Sequence, residues 1–277
     1  MSKQIKEKFY NFAVSDFDGT IFNSHKEVSA ETVNAINQFV DNGGVFCVCT
    51  GRMTGAIIHL LKDFGIDRGY VITYNGGEIC NIATGEKIFK GHIDTETVEK
   101  IMKYAEENNF EALVYPNDKI TVEKITPNNT KYMNMSGSSG VVLARKVSSY
   151  VKENNLTSGK CLFLIDDNED AERIMRELPL IIGDDFTLTR SNPHHIDIMR
   201  KGISKGETVK RFAEMFNLDM NRLICFGDEM NDESMIKIAA VGAVPKNGAQ
   251  ALKSIADVVI DACDEDGVCK AIKKYCI

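Results

Sequence analysis

No run of 18 or more consecutive apolar residues occurs in the 277-residue sequence, so it offers no candidate for a membrane-spanning helix. The first residues, Met1-Ser2-Lys3-Gln4-Ile5-Lys6, are charged without an apolar segment behind them. No secretory signal is therefore expected, and a cytoplasmic protein is. The eight cysteines contain no C-x-x-C pair, which removes the usual support for a zinc site or a dithiol redox motif. Cys47, Cys49, Cys161 and Cys225 lie inside hydrophobic runs, where cysteine serves as a small apolar residue. Positive charge is also short. Lys and Arg number 33 against 40 Asp and Glu, a net charge of -7, whereas a nucleic-acid groove needs a basic stripe. An anionic small molecule stays compatible, because a bound cation and one or two lysines reverse the local field.

Apolar residues make up 43% of the chain, ample for real cores, and the length suits two ordinary domains or one large one. Phe12-Ala13-Val14 reads as a buried strand, and Ser29 as the N-cap of a helix with Val33, Ile36, Phe39 and Val40 on its apolar face. Val45 to Cys49 and Tyr70 to Thr73 are further buried strands around a second helix ending at Gly65. Strand, helix, strand, helix, strand predicts a parallel sheet with helices on its faces. From about Lys90 the rhythm changes to helices grouped with paired strands, including a hairpin across Pro116-Asn117-Asp118. The parallel rhythm returns after Gly202, with strands at Arg222 to Gly227, Val241 to Val244 and Asp257 to Ile260. The expected fold is α/β, a doubly wound, mostly parallel sheet with an inserted α+β domain. The expected boundaries are 1-88 and 191-277 for the core and 89-190 for the insert.

The first strand ends in Asp16-Phe17-Asp18-Gly19-Thr20. Residues i and i+2 of a strand share a side, so Asp16 and Asp18 are predicted to face one space with Phe17 turned into packing. Two carboxylates that close repel unless a cation or a shared proton lies between them, and a hard divalent cation is the natural candidate. Three buried runs end in polar groups, at Asp16, Thr50 and Asp228, and ligands of open α/β sheets bind outside those carboxyl ends. A phosphate ester needs a nucleophile, a proton donor for the leaving oxygen and positive charge around the phosphoryl oxygens. Asp16 can attack, Asp18 can protonate the leaving alcohol and then deprotonate a water, and Asp228 adds a carboxylate for the cation. Lys205, at a helix start, can hold the phosphoryl group as a point charge. The Thr50 hydroxyl and the N–H groups around Gly51 can donate to the same oxygens.

Asp16-Phe17-Asp18-Gly19-Thr20, Thr50-Gly51-Arg52, Ser204-Lys205-Gly206 and Gly227-Asp228-Glu229-Met230-Asn231-Asp232 resemble the four ordered motifs of the haloacid dehalogenase superfamily. The Asn75-Gly76-Gly77 turn, the long insert between the second and third motifs and the Asp264-Glu265-Asp266-Gly267-Val268 tail resemble its Cof-type (subfamily IIB) phosphatases. The resemblance implies that Asp16 is nucleophile and metal ligand, and that Asp18 is the general acid/base, lending its backbone carbonyl to the metal. It further implies Thr50, Gly51 and Lys205 as phosphate binders, Asp228 as an Mg²⁺ ligand, and Asn231, Asp232 and Asn75 as supporting residues. Where the family often has Met-Gly-Asn-Ala after the last core strand, this chain has Pro245-Lys246-Asn247-Gly248, and Glu229 stands where Asn is frequent.

The implied activity is Mg²⁺-dependent hydrolysis of small phosphomonoesters, such as sugar phosphates or phosphorylated cofactors, with the insert as a cap. The expected partner is the small substrate alone, with no nucleic acid or membrane, and the protein is expected as a monomer or weak homo-oligomer. Two other readings stay open: a phosphomutase sharing the aspartyl-phosphate, and a catalytically silent metal- and phosphate-binding regulator. His194 and His195 lack the spacing and carboxylate partner of metal ligands. Asp166, Asp167, Glu169, Asp170 and Glu172 lack the glycine and ligand order of a calcium loop, and read as a solvated helix start. Ser136 to Gly140 reads as an exposed turn or the edge of a lid.

Overall fold

Strands buried on both faces need apolar side chains at every position, and the chain supplies them in short blocks. The computed structural model describes residues 5–136 and 140–277. Its first strands are Phe12–Ser15 (β1), Val45–Cys49 (β2), Tyr70–Thr73 (β3), Glu78–Asn81 (β4) and Lys87–Lys90 (β5). Next come Glu111–Val114 (β6), Ile120–Val122 (β7), Val141–Leu143 (β8), Cys161–Leu164 (β9), Phe186–Asn192 (β10) and His195–Arg200 (β11). Leu223–Phe226 (β12), Val241–Pro245 (β13) and Val258–Ile260 (β14) follow. The helices are Ala30–Asp41 (α1), Thr54–Asp63 (α2), Thr95–Asn108 (α3), Pro127–Ser136 (α4) and Val147–Glu153 (α5). Asn168–Ile182 (α6), Lys205–Met215 (α7), Glu233–Ile238 (α8), Gln250–Lys253 (α9) and Gly267–Tyr275 (α10) complete them.

The chain divides into two units, residues 5–51, 58–89 and 204–277 in the first, and 52–57 with 90–203 in the second. The first unit holds an eight-stranded sheet in the order β14-β13-β12-β1-β2-β3-β4-β5. Pairing is parallel from β14 through β3 and antiparallel between β3 and β4. Phe12 and Val14 of β1, Cys47 and Cys49 of β2 and Leu223 and Cys225 of β12 pack against Val209 and Phe212 of α7 and Met235 of α8. The alternate residues, such as Ala13, Phe46 and Ile224, are fully buried on the opposite face, where α1 contacts β2 and pairs with α10. Ser29 Oγ accepts the Thr32 N–H at 3.0 Å as the N-cap of α1. This is the doubly wound α/β architecture expected from the alternation of apolar runs and amphipathic helices.

The second unit holds a six-stranded, mostly antiparallel sheet in the order β10-β11-β9-β6-β7-β8. One face packs α3, α5 and α6 onto Val114, Phe163, Ile196 and Ile198. The anticipated hairpin pairs β6 with β7 around Val114 and Thr121. The expected return to the first unit at residue 191 is corrected: β11 pairs with β10 and β9, so the second boundary falls at 203/204. The pattern itself groups Ile196 to Met199 with the paired strands before Gly202, as the sheet does, and the boundary at 191 cut across that grouping. The sequence reading also lacked the β4–β5 pair, α4 and β8. Helix α4 begins at Pro127 and has no sustained apolar stripe, and β8 leaves Val141 and Leu143 exposed, so periodicity had little to report.

Asp167 caps α6 by accepting the Glu169 N–H at 2.8 Å, so that acidic run is a helix start. His194 Nδ1 lies 3.1 Å from the Ile165 carbonyl, and His195 sits on β11 with its ring edge-on to Tyr132. Residues 137–139 of the Ser136 to Gly140 turn lie outside the described residues. No helix among the described residues is long and apolar enough to cross a membrane.

Candidate active site

The strand order of the first sheet reverses direction at β1: the chain moves from β1 to β2 and β3 on one side, while β12 and β13 lie on the other. Such a switch point opens a crevice at the carboxyl ends of the two central strands. Ser15 pairs with Phe226, and the Asp16 N–H donates to the Phe226 carbonyl at 2.8 Å. The residues that leave these two strands, Asp16 and Asp228, are thereby brought together, although 212 positions separate them (228 − 16). Gly19 turns the chain sharply after Asp18 with φ +77°, and a Cβ there would lie 2.4 Å from Asp228 Oδ2. Only glycine permits both the left-handed backbone and this approach.

Lys205 begins α7, whose N-cap is Ser204. Its ammonium donates to Asp16 Oδ1 and to Asp232 Oδ1, each at 2.5 Å, with the lysine side chain fully buried. Asp232 Oδ2 accepts the N–H groups of Asp228 at 2.9 Å and Glu229 at 3.1 Å. Thr20 Oγ1 donates to Asp228 Oδ1 at 2.8 Å. Carboxylate oxygens of Asp16, Asp228 and Asp232 lie within 4.8 Å of one another, and all three residues are buried. Three carboxylates thus face one ammonium.

Burial works against the charge on Lys205, but Asp16 and then Asp232 outweigh it and hold its pKa above the ordinary lysine value. Burial also raises Asp16 well above the usual carboxylate range, with Lys205 opposing and Asp232 and Asp228 adding to the rise. The ammonium, 2.5 Å from two carboxylates, keeps its charge, and three buried carboxylates around one cation leave a shortage of positive charge. Asp228 shows the same deficit: burial, then Asp232, push it up to about 6 against the Thr20 hydrogen bond. A divalent cation fits this donor set, because hard oxygen ligands carrying two unbalanced negative charges are what Mg²⁺ binds.

The remaining expected residues frame this cluster in part. Thr50, buried at the end of β2, donates its N–H to the Ile72 carbonyl at 2.8 Å and accepts the Asn75 N–H at 3.0 Å. A Cβ on Gly51 would lie 3.0 Å from Asn75 Oδ1, which also accepts from Asn231 Nδ2 at 3.2 Å. Tyr74 and Asn75 both hold left-handed φ, +53° and +54°, a costly backbone for two non-glycine residues in a row and one that clusters at functional sites. The turn is pinned onto α7: Thr208 Oγ1 donates to the Gly76 carbonyl at 2.9 Å. Asp18 is exposed, as is Glu229, and neither side chain belongs to the carboxylate cluster. Sequence reasoning missed Thr20 as the Asp228 partner and Ser234, whose Oγ accepts the Gly206 N–H at 3.0 Å beside Lys205. Thr20 carried a signal, as the last residue of the first motif; Ser234 carried none.

Residues 13–272 match the model of the haloacid dehalogenase-like hydrolases, and the chain belongs to that family. It is an enzyme, a phosphatase of the Cof type. Phosphatase YwpJ of Bacillus subtilis is 28% identical over 282 residues, covering 93% of this chain and 97% of that protein. The HMP-PP phosphatase of Yersinia enterocolitica is 24% identical, covering 96% and 95%. The crystal structure of a haloacid dehalogenase-like hydrolase from Bacteroides thetaiotaomicron superposes with a TM-score of 0.85 at 27% identity, over 95% of this chain and 98% of that one.

Proposed function

We propose that this enzyme hydrolyses small phosphomonoesters, sugar phosphates or phosphorylated cofactors, with Mg²⁺ and through an aspartyl-phosphate on Asp16. The observation that carries the reading is the convergence of Asp16, Asp228 and Asp232 on Lys205 at the switch point between β1 and β12. The Yersinia relative, named HMP-PP phosphatase, supports hydrolysis of a phosphoryl group. Asp16, Asp228 and the backbone carbonyl of Asp18 would hold Mg²⁺, which when bound supplies charge for the phosphoryl oxygens and for the buried carboxylates.

Asp16 attacks phosphorus in line; its Oδ–P bond forms as the ester P–O bond breaks. Asp18, exposed and two residues beyond the nucleophile, is the general acid that gives a proton to the departing oxygen. It then takes a proton from the water that attacks the aspartyl-phosphate, releasing inorganic phosphate and regenerating the Asp16 carboxylate. Lys205 steadies the phosphoryl oxygens by charge, with Asp232 fixing its direction, and the Thr50 hydroxyl and Gly51 N–H donate to the same oxygens. Turnover of a chromogenic aryl phosphate with Mg²⁺, loss on chelation and a fall of at least about 10³-fold in Asp16→Asn are the expected results. Full activity in Asp16→Asn would overturn the reading. Transfer to a second sugar without release of phosphate would favour a mutase instead.

A further inference from the structure

The second unit holds a cavity that the chemistry above does not use, about 280 Å³ between α4, the end of β9 and the turn that leads into β11. Its walls are of two kinds. Leu164, Ile165 and Pro193 are apolar, whereas Lys131, His194 and His195 can each carry positive charge. The carboxylates around them are already committed. Both oxygens of Asp166, at the rim, accept from Asn128 Nδ2, at 3.0 and 2.9 Å. Asp197, two residues beyond His195 on the same side of β11, is balanced by Lys160 at 2.7 Å. Tyr132 of α4 sets its ring edge-on to His195, 5.4 Å between centroids. His194 Nδ1 meets the Ile165 carbonyl, which only accepts, so Nδ1 keeps the proton of the neutral ring and a second proton enters at Nε2. Burial holds the half-buried His195 below its ordinary pKa; Asp197 opposes this, and Lys160, His194 and Lys131 add like charge. Negative charge is wanting here, the reverse of the shortage around Asp16 and Asp228, in a chain whose net charge is -7.

We propose that this cavity binds a small phosphate ester, with Lys131, His194 and His195 around the phosphate and the carbon body against Leu164, Ile165 and Pro193. A tetrahedral dianion suits cationic donors that converge from a helix on one side and a strand turn on the other. Hydrogen bonds that an imidazole already makes leave its charge in place, so the field of the cavity does not need an unpartnered ring. The apolar walls favour an ester over bare phosphate, because they gain only when a carbon body covers them. The site does not depend on the roles given to Asp16 and Asp18.

NMR titration of the histidines in the full chain tests the site, since the carboxylate cluster of the first unit contains none. At constant ionic strength, with a chelator present so that esters persist, inorganic phosphate should saturably raise the pKa of His194 and His195 by about half a unit or more, because an anion favours the charged ring. His59 and His92, which do not line the cavity, should not follow. Lys131→Ala, at an exposed position that leaves the fold intact, should weaken the binding by about fivefold or more. No rise at His194 and His195, an equal rise at every histidine, or a rise that Lys131→Ala leaves unchanged overturns the site. A sugar monophosphate and a sugar bisphosphate in the same titration identify the source of the phosphate. Half-saturation at a bisphosphate concentration about tenfold lower assigns the site to a second phosphate of the enzyme's own substrate; equal concentrations assign it to a separate phosphorylated ligand. Failure of this titration leaves the phosphatase reading untouched, and full activity in Asp16→Asn leaves the site untouched.

Discussion

Two lysines are buried among the described residues, one in each unit, and they keep different company. Lys160, in the second unit, donates to Asp197 at 2.7 Å, with both side chains over nine-tenths buried and the Tyr115 ring beside the ammonium. Burial opposes its charge, and Asp197 followed by Tyr132 overcomes it, so its pKa rises above the ordinary value. One cation meets one carboxylate. Lys205, in the first unit, faces Asp16 and Asp232 with Asp228 close by, and the account does not balance. A matched buried pair completes itself and needs nothing further. A mismatched cluster is a site waiting for positive charge, and the carboxylates at its edge, Asp16 and Asp228, show the strain in their raised pKa values.

Four experiments break or sharpen that contrast. The largest effect is expected from Lys205→Met, which leaves two buried carboxylates without their cation. It should cost at least about 100-fold in kcat/KM and lower metal-free stability more than the matching change in the other unit; retention of either property would refute the charge argument. Lys160→Met should cost about 3–5 kcal/mol in urea unfolding, because it strands the buried Asp197. Pairing it with Asp197→Leu should recover most of that loss, and a double variant as unstable as the single one would show that the pair is not self-contained.

Third comes Asp228, whose folded pKa of about 6 lies above its ordinary value of 3.8. The folded state therefore binds the proton more tightly than the unfolded one, and metal-free stability falls as pH rises from about 4 to about 6. Asp228→Asn removes that cost, so without Mg²⁺ the variant should be more stable than the parent at pH 7.5, by up to about 3 kcal/mol. The difference should close below pH 4, and added Mg²⁺ should raise the Tm of the parent but not of the variant. A gap independent of pH would dismiss the effect of burial. The smallest effect belongs to the exposed, balanced network of the C-terminal region. There Lys246 and then Lys270 hold Asp261 down to about 2, from an ordinary 3.8. Its contribution is present above about pH 4 and lost as pH falls through 2. Asp261→Asn should lower Tm slightly at pH 7 in low salt, and the difference should vanish in 1 M salt; a salt-independent loss would point to packing.

Legibility in the sequence follows from how far each signal had to travel. The first motif announces itself within five residues, since two carboxylates and a glycine after an apolar run already imply a strand end that meets a charge. Ser29 and Ser204 were readable as helix starts because a cap bonds to its own first turn, at Thr32 and Glu207. Strand β11 was readable as one of the paired strands before Gly202, but its pairing with β9 was not, because that partner lies about 30 residues earlier (195 − 164 = 31). The link from Asn247 to Gly19 spans 228 positions and involves a residue type common in loops.

Local chemistry alone determined most of the strands and helices of the parallel sheet and which residues carry groups fit for phosphoryl transfer. Hydrophobic periodicity and capping act over one or two turns of chain, and a motif is read where it stands. The meeting of Asp16, Asp228, Asp232 and Lys205, the excess of negative charge this creates, and the link from Asn247 to Gly19 were decided only by the folded sheet. Parallel pairing of β1 with β12 sets those distances, and burial, which gives the charges their force, does not exist until the chain has closed around them.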